Sequence, residues 1–245
     1  MSQPSAKEEL RSQLDRTHTA HARRADSGLL PSIEFLEDWQ KQRLVETYAD
    51  MAATPRYKQA MDFFINDLYA PADVPKRDAD LERMYPAMVR LLPDWAIATV
   101  AAALELQALS LELDLQTARF LTERLGTLET LDIETYAEAY RALDQETVRT
   151  HQIDLVLRVG SDLEEYVHHA MIYATLKMCR IPAYLAGLHS IQSFLEKGFD
   201  AFRSIDGAEH FLLTIDRRER RLLKALVNAE EDPLRKAQSV PIAGS

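Results

Sequence analysis

The sequence predicts an all-α fold, a single-domain helical bundle of about eight to ten helices. Three observations carry that expectation. Glycine occurs only seven times in 245 residues, too rarely for the hairpin turns and strand–helix crossings of a sheet protein this long. Ala, Leu, Glu and Arg, which favour helices, are abundant. Apolar residues recur three and four apart in segments bounded by Pro, Gly and short polar caps.

Residues 1–30 are polar, and the pattern from Glu8 to Arg24 carries only a thin apolar stripe. A mobile or loosely docked N-terminal arm is expected there. The helical domain spans 31–229. Pro31-Ser32 opens its first secure helix, with Ser32 as N-cap. Ile33, Leu36, Leu44, Tyr48 and Met51 share one face of it. Gln40 interrupts that stripe, and Arg43 stands at its edge. Thr54-Pro55 starts the next helix, Pro suiting the first helical position. Tyr57, Ala60, Met61, Phe64 and Leu68 share a face there, Phe63 is turned about 100° away, and Asp67 projects between Phe63 and Ala60. This helix reads as buried on more than one side and ends at Ala70-Pro71.

Asp78 is placed to cap the following helix, with Asp80 and Glu82 near its positive end. Leu81, Met84, Tyr85, Met88 and Leu92 face inward, and Pro86 lies opposite them. Trp95 to about Asp114 is the most apolar helix and the natural centre of the bundle. Leu115 to Leu125 either continues it or forms a separate piece ending at Gly126. Its most apolar run, Trp95 to Leu104, is too short to span a bilayer. Asp132 caps a helix to about Leu143. Another runs from Gln145 to Val159 and is closed by Gly160. Ser161-Asp162-Leu163-Glu164 forms a capping box for its successor. Pro182 separates that helix from Tyr184–Lys197, which Gly198 follows. Asp206-Gly207-Ala208-Glu209 resembles a capping box for the last long helix, to about Ala229. Residues 230–245 read as a frayed tail.

Formal net charge is −10, and residues 31–200 alone hold 16 Lys/Arg against 28 Asp/Glu. An acidic body argues against nucleic acid and membranes as partners. The single Cys179 makes no internal disulfide and suits a reducing, cytoplasmic setting. The sequence has no Gly-rich phosphate loop, no G-x-S-x-G elbow and no Cys pair for zinc. No catalytic residue is assigned, and no motif implies a cofactor.

Glu165, His168 and His169 stand three and four apart, a spacing that lets side chains on one helix meet one ligand. They are the candidate metal ligands. A carboxylate di-iron bundle needs two Glu-x-x-His pairs and two further glutamates, and only Glu165/His168 forms such a pair. A polar outer face is the plainer reading. The candidate ligand or polar-core residues are Gln40, Arg43, Asp67, Arg77 and Glu219. Glu219 falls near the centre of the stripe made by Phe211, Ile215, Leu222 and Leu226. An ionised carboxylate there needs a hydrogen-bonded partner, which Arg43, Arg77 or His168 would supply. A structural ion pair is the plainer reading; convergence of Gln40, Asp67 and Glu219 on a cavity is the sharper one. Ala183, Ala186, Gly187 and Ser190 form a small-residue face suited to close packing. Arg217, Arg218, Arg220 and Arg221 mostly flank the stripe, as a solvated helix edge would.

Phe63 to Tyr69 reads FFINDLY. With Arg77-Asp78-Ala79-Asp80 and Trp39-Gln40…Arg43-Leu44, it resembles the FFLEELY-motif proteins, a bacterial family. Phe63, Phe64, Leu68 and Tyr69 match that motif, while Ile65, Asn66 and Asp67 depart conservatively. The likeness covers most of 31–228. It implies a bacterial cytoplasmic protein with one continuous domain and brings no catalytic residues. The expected function is a non-catalytic binding or adaptor protein, engaging a protein partner or a small hydrophobic ligand between helices. The alternatives are a helical-bundle metalloenzyme with iron, manganese or zinc near Glu165/His168, and a structural homo-oligomer.

Overall fold

The computed structural model describes residues 4–68, 74–178 and 180–244, the side chains of residues 68, 74–79 and 170 excepted. Among the described residues the fold is all-α, with no strand. The helices are α1 (Ala6–Ala25), α2 (Leu30–Thr47), α3 (Ala49–Ala53), α4 (Pro55–Phe63), α5 (Val74–Leu91), α6 (Asp94–Leu125) and α7 (Ile133–Leu143). They continue as α8 (Glu146–Val167), α9 (Ala170–Met178), α10 (Arg180–Leu185), α11 (His189–Ile205), α12 (Glu209–Val227) and α13 (Pro233–Gln238). Ten of them are nine residues or longer. A π-helical turn, Phe64–Leu68, follows α4.

Helix α6 is the central element. Its 32 residues extend about 48 Å. It runs unbroken through Leu115 and stops where Gly126 takes a φ of +82°, a conformation that costs glycine nothing. By length and composition it could cross a membrane, and here α1, α2, α7 and α8 pack on it. Ile97, Ala101, Leu104, Leu113 and Leu121 are buried along it.

Residues 4–30 do not form an arm. Ser5 and Glu8 make a reciprocal capping box at the start of α1. Leu10 and Leu14 then bury against α6 and α5, and Arg16 grips Glu112 at 3.0 and 2.6 Å. The stripe looks thin because Gln13 and Thr17 also lie in the seam. Thr17 Oγ1 donates to the Gln13 carbonyl at 2.8 Å, which hides its polarity from the core. Residues 230–244 are not frayed either. Helix α13 docks with Ala237 fully buried, and Ala243 N donates to Thr214 Oγ1 at 2.9 Å.

Several local signals are overruled by distant packing. Helix α8 passes straight through Gly160 and Ser161. A Cβ on Gly160 would lie 2.5 Å from Leu212 Cδ2 of α12, so this glycine serves helix–helix approach rather than a cap. Gly198 lies inside α11 for a similar reason: a Cβ there would come 3.0 Å from the Phe63 ring. The expected Tyr184–Lys197 helix is broken, since α10 ends at Leu185 and Gly187 turns the chain with φ +70°. Ala183, Ala186, Gly187 and Ser190 therefore share no single helix face. Ser32 lies within α2 and accepts a hydrogen bond from Thr122 at 3.1 Å. Asp78 lies within α5 rather than at its start. Helix α12 begins without a side-chain cap. Asp132 does cap α7, accepting from Thr135 N at 2.8 Å. Tyr69, Ala70-Pro71 and Cys179 lie outside the described residues.

Candidate functional site

The polar residues singled out in the sequence fall in separate places. Arg43 Nη1 donates to both oxygens of Glu219, at 2.8 and 3.1 Å. The Tyr48 hydroxyl donates to the same carboxylate at 2.8 Å. Two donors from the α2 side thus hold the carboxylate that interrupts the α12 stripe. Gln40, one turn earlier on α2, reaches the other way. Its Nε2 donates to Asp114 Oδ1 at 3.0 Å and to the Tyr136 hydroxyl at 3.2 Å. Asp67 stands apart from both and pairs with Lys197 of α11 at 2.5 Å. The Arg77 side chain lies outside the described residues.

Asp114 is the hub of a polar seam between α2, α6, α7 and α8. Burial, with the neighbouring Glu37 carboxylate, pushes its carboxyl up to about 6, against the pull of the Gln40 amide and of Arg149. The buried Arg149 guanidinium lies 3.9 Å above the Tyr140 ring and donates to Thr117 Oγ1 at 2.9 Å. Tyr136 and Tyr140 hydroxyls are 2.9 Å apart. Burial drives the Tyr140 hydroxyl well above its ordinary value, so it stays a neutral phenol. Trp39 packs on Tyr136 at 4.6 Å between ring centres and donates to the Leu131 carbonyl at 2.8 Å. These groups chiefly bond one another, which rigidifies a core, although Arg149 Nε is buried without a hydrogen-bond partner.

The metal-ligand geometry does not assemble. Helix α8 ends at Val167, which takes His168 and His169 off its regular face. His168 Nε2 lies 2.9 Å from Glu164, not Glu165, and Glu165, His168 and His169 are exposed. Among the described residues no group of three His, Cys, Asp or Glu is placed to hold a metal ion.

Sequence reasoning missed Arg218. It is only 1% exposed, far from the solvated edge expected for its basic run. Nη1 donates to the Thr47 carbonyl at 2.8 Å and Asp50 at 2.7 Å. Nε and Nη2 both donate to the Val240 carbonyl, at 3.0 and 2.8 Å. One side chain therefore joins the end of α2 to the C-terminal segment. The missed signal is spacing: Phe211, Ile215, Arg218 and Leu222 recur at four, three and four, the seam of a packed helix.

The second unforeseen feature is the α9–α10 pair, which leaves a large apolar face to solvent. Met171, Met178, Ile181, Tyr184 and Leu185 are 71–83% exposed. Toward α11 the pair makes polar contacts, with Ile172 and Leu176 half-buried beside them. Lys177 pairs with Asp200 at 3.1 Å and Glu196 at 3.4 Å. Arg180 Nε donates to both oxygens of Glu196, at 3.0 and 3.1 Å. Tyr173 donates to Asp200 at 2.7 Å. The Arg180 guanidinium, helped by Gln192 and Lys177, holds the Glu196 carboxyl down to about 2. The Trp95 ring packs at a tilt on Tyr166, 4.6 Å between centres, near the end of α8, and Leu91 at the end of α5 is also exposed.

A family model for a domain of unknown function, DUF8198, matches residues 19–233 of the chain. No curated protein and no solved structure matches it.

Proposed function

The chain belongs to the DUF8198 family, a domain of unknown function, and we propose that it is a non-catalytic binding module that docks a protein on the outer face of α9 and α10. The apolar outer face of that helix pair carries the reading. Five large apolar side chains point to solvent, while Lys177 is only 30% exposed and Arg180, itself 61% exposed, reaches back to Glu196. Monomers rarely expose contiguous apolar patches beyond a few hundred Å². Interface cores are depleted in charge and enriched in Met and aromatic residues, which is the composition of this face. A small hydrophobic ligand between helices has less support. The cleft beside Trp39, Arg43, Glu46 and Leu234 holds about 260 Å³ and opens to solvent, below the roughly 300–1,000 Å³ of ligand pockets. Lys177 and Arg180 are already paired within the chain, so the face lacks the free basic rim that draws helices to anionic membranes. The lone Cys179 and the FFLEELY resemblance fit a bacterial, cytoplasmic setting for this module.

A photo-crosslinking residue tests the reading. Placed at Tyr184 in the full chain within its native cells, it should give one defined, saturable protein adduct. The same group at Lys58 on α4 should give none. No adduct at 184, or equal labelling at both positions, would sink the proposal.

A further inference from the structure

We propose that the occupant of this face is a second copy of the chain, forming a two-fold dimer in which α9 and α10 of each protomer meet. The proposal rests on the docking reading above and names its partner. A two-fold interface sets each surface against itself. An apolar patch is complementary to itself, whereas a charged patch is not. Between Met171 and Leu185 the only charged side chains are Lys177 and Arg180, and Glu196 and Asp200 of the same chain neutralise them. Two copies can therefore close on this face without like charges at its centre.

The wider charge pattern points the same way. The chain carries −10 overall, yet residues 170–205 hold four Lys/Arg against two Asp/Glu. Two acidic bodies approach here without the excess of carboxylates that the chain carries elsewhere. The geometry suits helix pairing. Met171 and Met178 are two turns apart on α9, and Ile181, Tyr184 and Leu185 follow on α10 at spacings of three and four. Five such side chains at about 60–120 Å² each offer roughly 300–600 Å² per protomer, a large part of the about 800 Å² per partner of a stable interface.

Sedimentation equilibrium on the full chain, from about 1 to 100 µM, tests the proposal. The expected result is a reversible shift from the 27.9 kDa monomer to twice that mass. Met178→Glu with Ile181→Glu places carboxylates at the centre of the interface and should weaken association at least about 100-fold. Helix content should stay at the wild-type value, and the thermal midpoint should match that of wild type at low, monomeric concentration, because both positions face solvent in the single chain. Met178→Leu should keep the dimer. A wild-type chain that stays monomeric throughout, or a double-Glu variant that dimerises like wild type, overturns the proposal. In the monomeric case a solvatochromic dye decides what else falls. Dye binding lost in the double-Glu variant leaves the apolar docking face standing for a different protein. No binding to either form removes the docking reading as well.

Discussion

Replacing Arg218 by Met should cost about 3–4 kcal/mol, although the residue belongs to a run of arginines on an otherwise acidic protein. The thioether side chain keeps most of the buried stem and removes the fork. Five hydrogen bonds go with it, to the Thr47 carbonyl, to both Asp50 oxygens and twice to the Val240 carbonyl. The Asp50 side chain is half exposed, so water rehydrates it, and that part of the loss is about 1 kcal/mol or less. The two carbonyls weigh more. A buried acceptor left without its donor costs about 1–3 kcal/mol; the Thr47 site is buried and the Val240 site partly so. The sum is a large share of the about 5–15 kcal/mol that holds a typical domain together. Urea unfolding followed by far-ultraviolet circular dichroism at neutral pH reads it directly. Trypsin supplies the local readout, because a released C-terminal segment exposes Arg235 and Lys236 to cleavage in the native state. Arg218→Lys should recover little, since one ammonium cannot span Asp50 and Val240 together. A loss below about 1 kcal/mol with the tail still resistant would refute the account of Arg218 as the anchor of the C-terminal segment.

Two further substitutions probe the polar residues of α2 and α6. Arg43→Met leaves the largely buried Glu219 carboxylate with the Tyr48 hydroxyl and should destabilise by about 2–4 kcal/mol. Adding Glu219→Leu should return most of that, and a double variant no more stable than Arg43→Met would contradict the pairing. For Asp114 the sign follows from its raised carboxyl, about 6 in the folded protein against 3.8 for the free group. Between those values the folded state keeps a proton that the unfolded state has lost, so stability falls as pH rises from about 4 to about 6 and stays low above. Asp114→Asn removes that dependence and should be the more stable protein at pH 7, by at most about 2–3 kcal/mol. A wild-type-minus-variant difference that is flat across this window would show that the carboxyl is not held protonated.

What the sequence made legible is what neighbours along the chain decide. Asp132 caps α7 because its acceptor and the Thr135 donor are three residues apart. Glu219 announces its need for a partner by its place in the α12 stripe. The partner's identity is another matter, since Arg43 lies 176 positions away. The same limit explains the corrections. Gly160 before Ser-Asp-Leu-Glu is a local instruction to stop and restart a helix, and Leu212 of α12 overrules it by packing where a Cβ would stand. The stripe of Met171, Met178, Ile181 and Leu185 is visible in the sequence as a stripe. Nothing in its spacing says which way it faces. That depends on Glu196 and Asp200, which claim the opposite side with Lys177 and Arg180.

Helix α11 links that outward face to the FFINDLY stretch. On one side, Phe63 stacks on Phe194 at 5.4 Å and covers Gly198, while Asp67 holds Lys197. Arg56, at the start of α4, donates to the Ile205, Asp206 and Gly207 carbonyls at 2.6–3.0 Å and so closes the end of α11. Those are carbonyls a helix end leaves without internal donors. On its other side, Gln192, Glu196 and Asp200 recur at four-residue spacing and bind α9 and α10. The motif therefore orients the helix whose carboxylates orient the exposed pair. Its contacts brace the fold, and its bearing on the proposed docking face is indirect. A substitution at Phe63 or Asp67 reaches the outer face only by turning or loosening α11, whereas one at Ile181 or Tyr184 alters that face and leaves α11 in place.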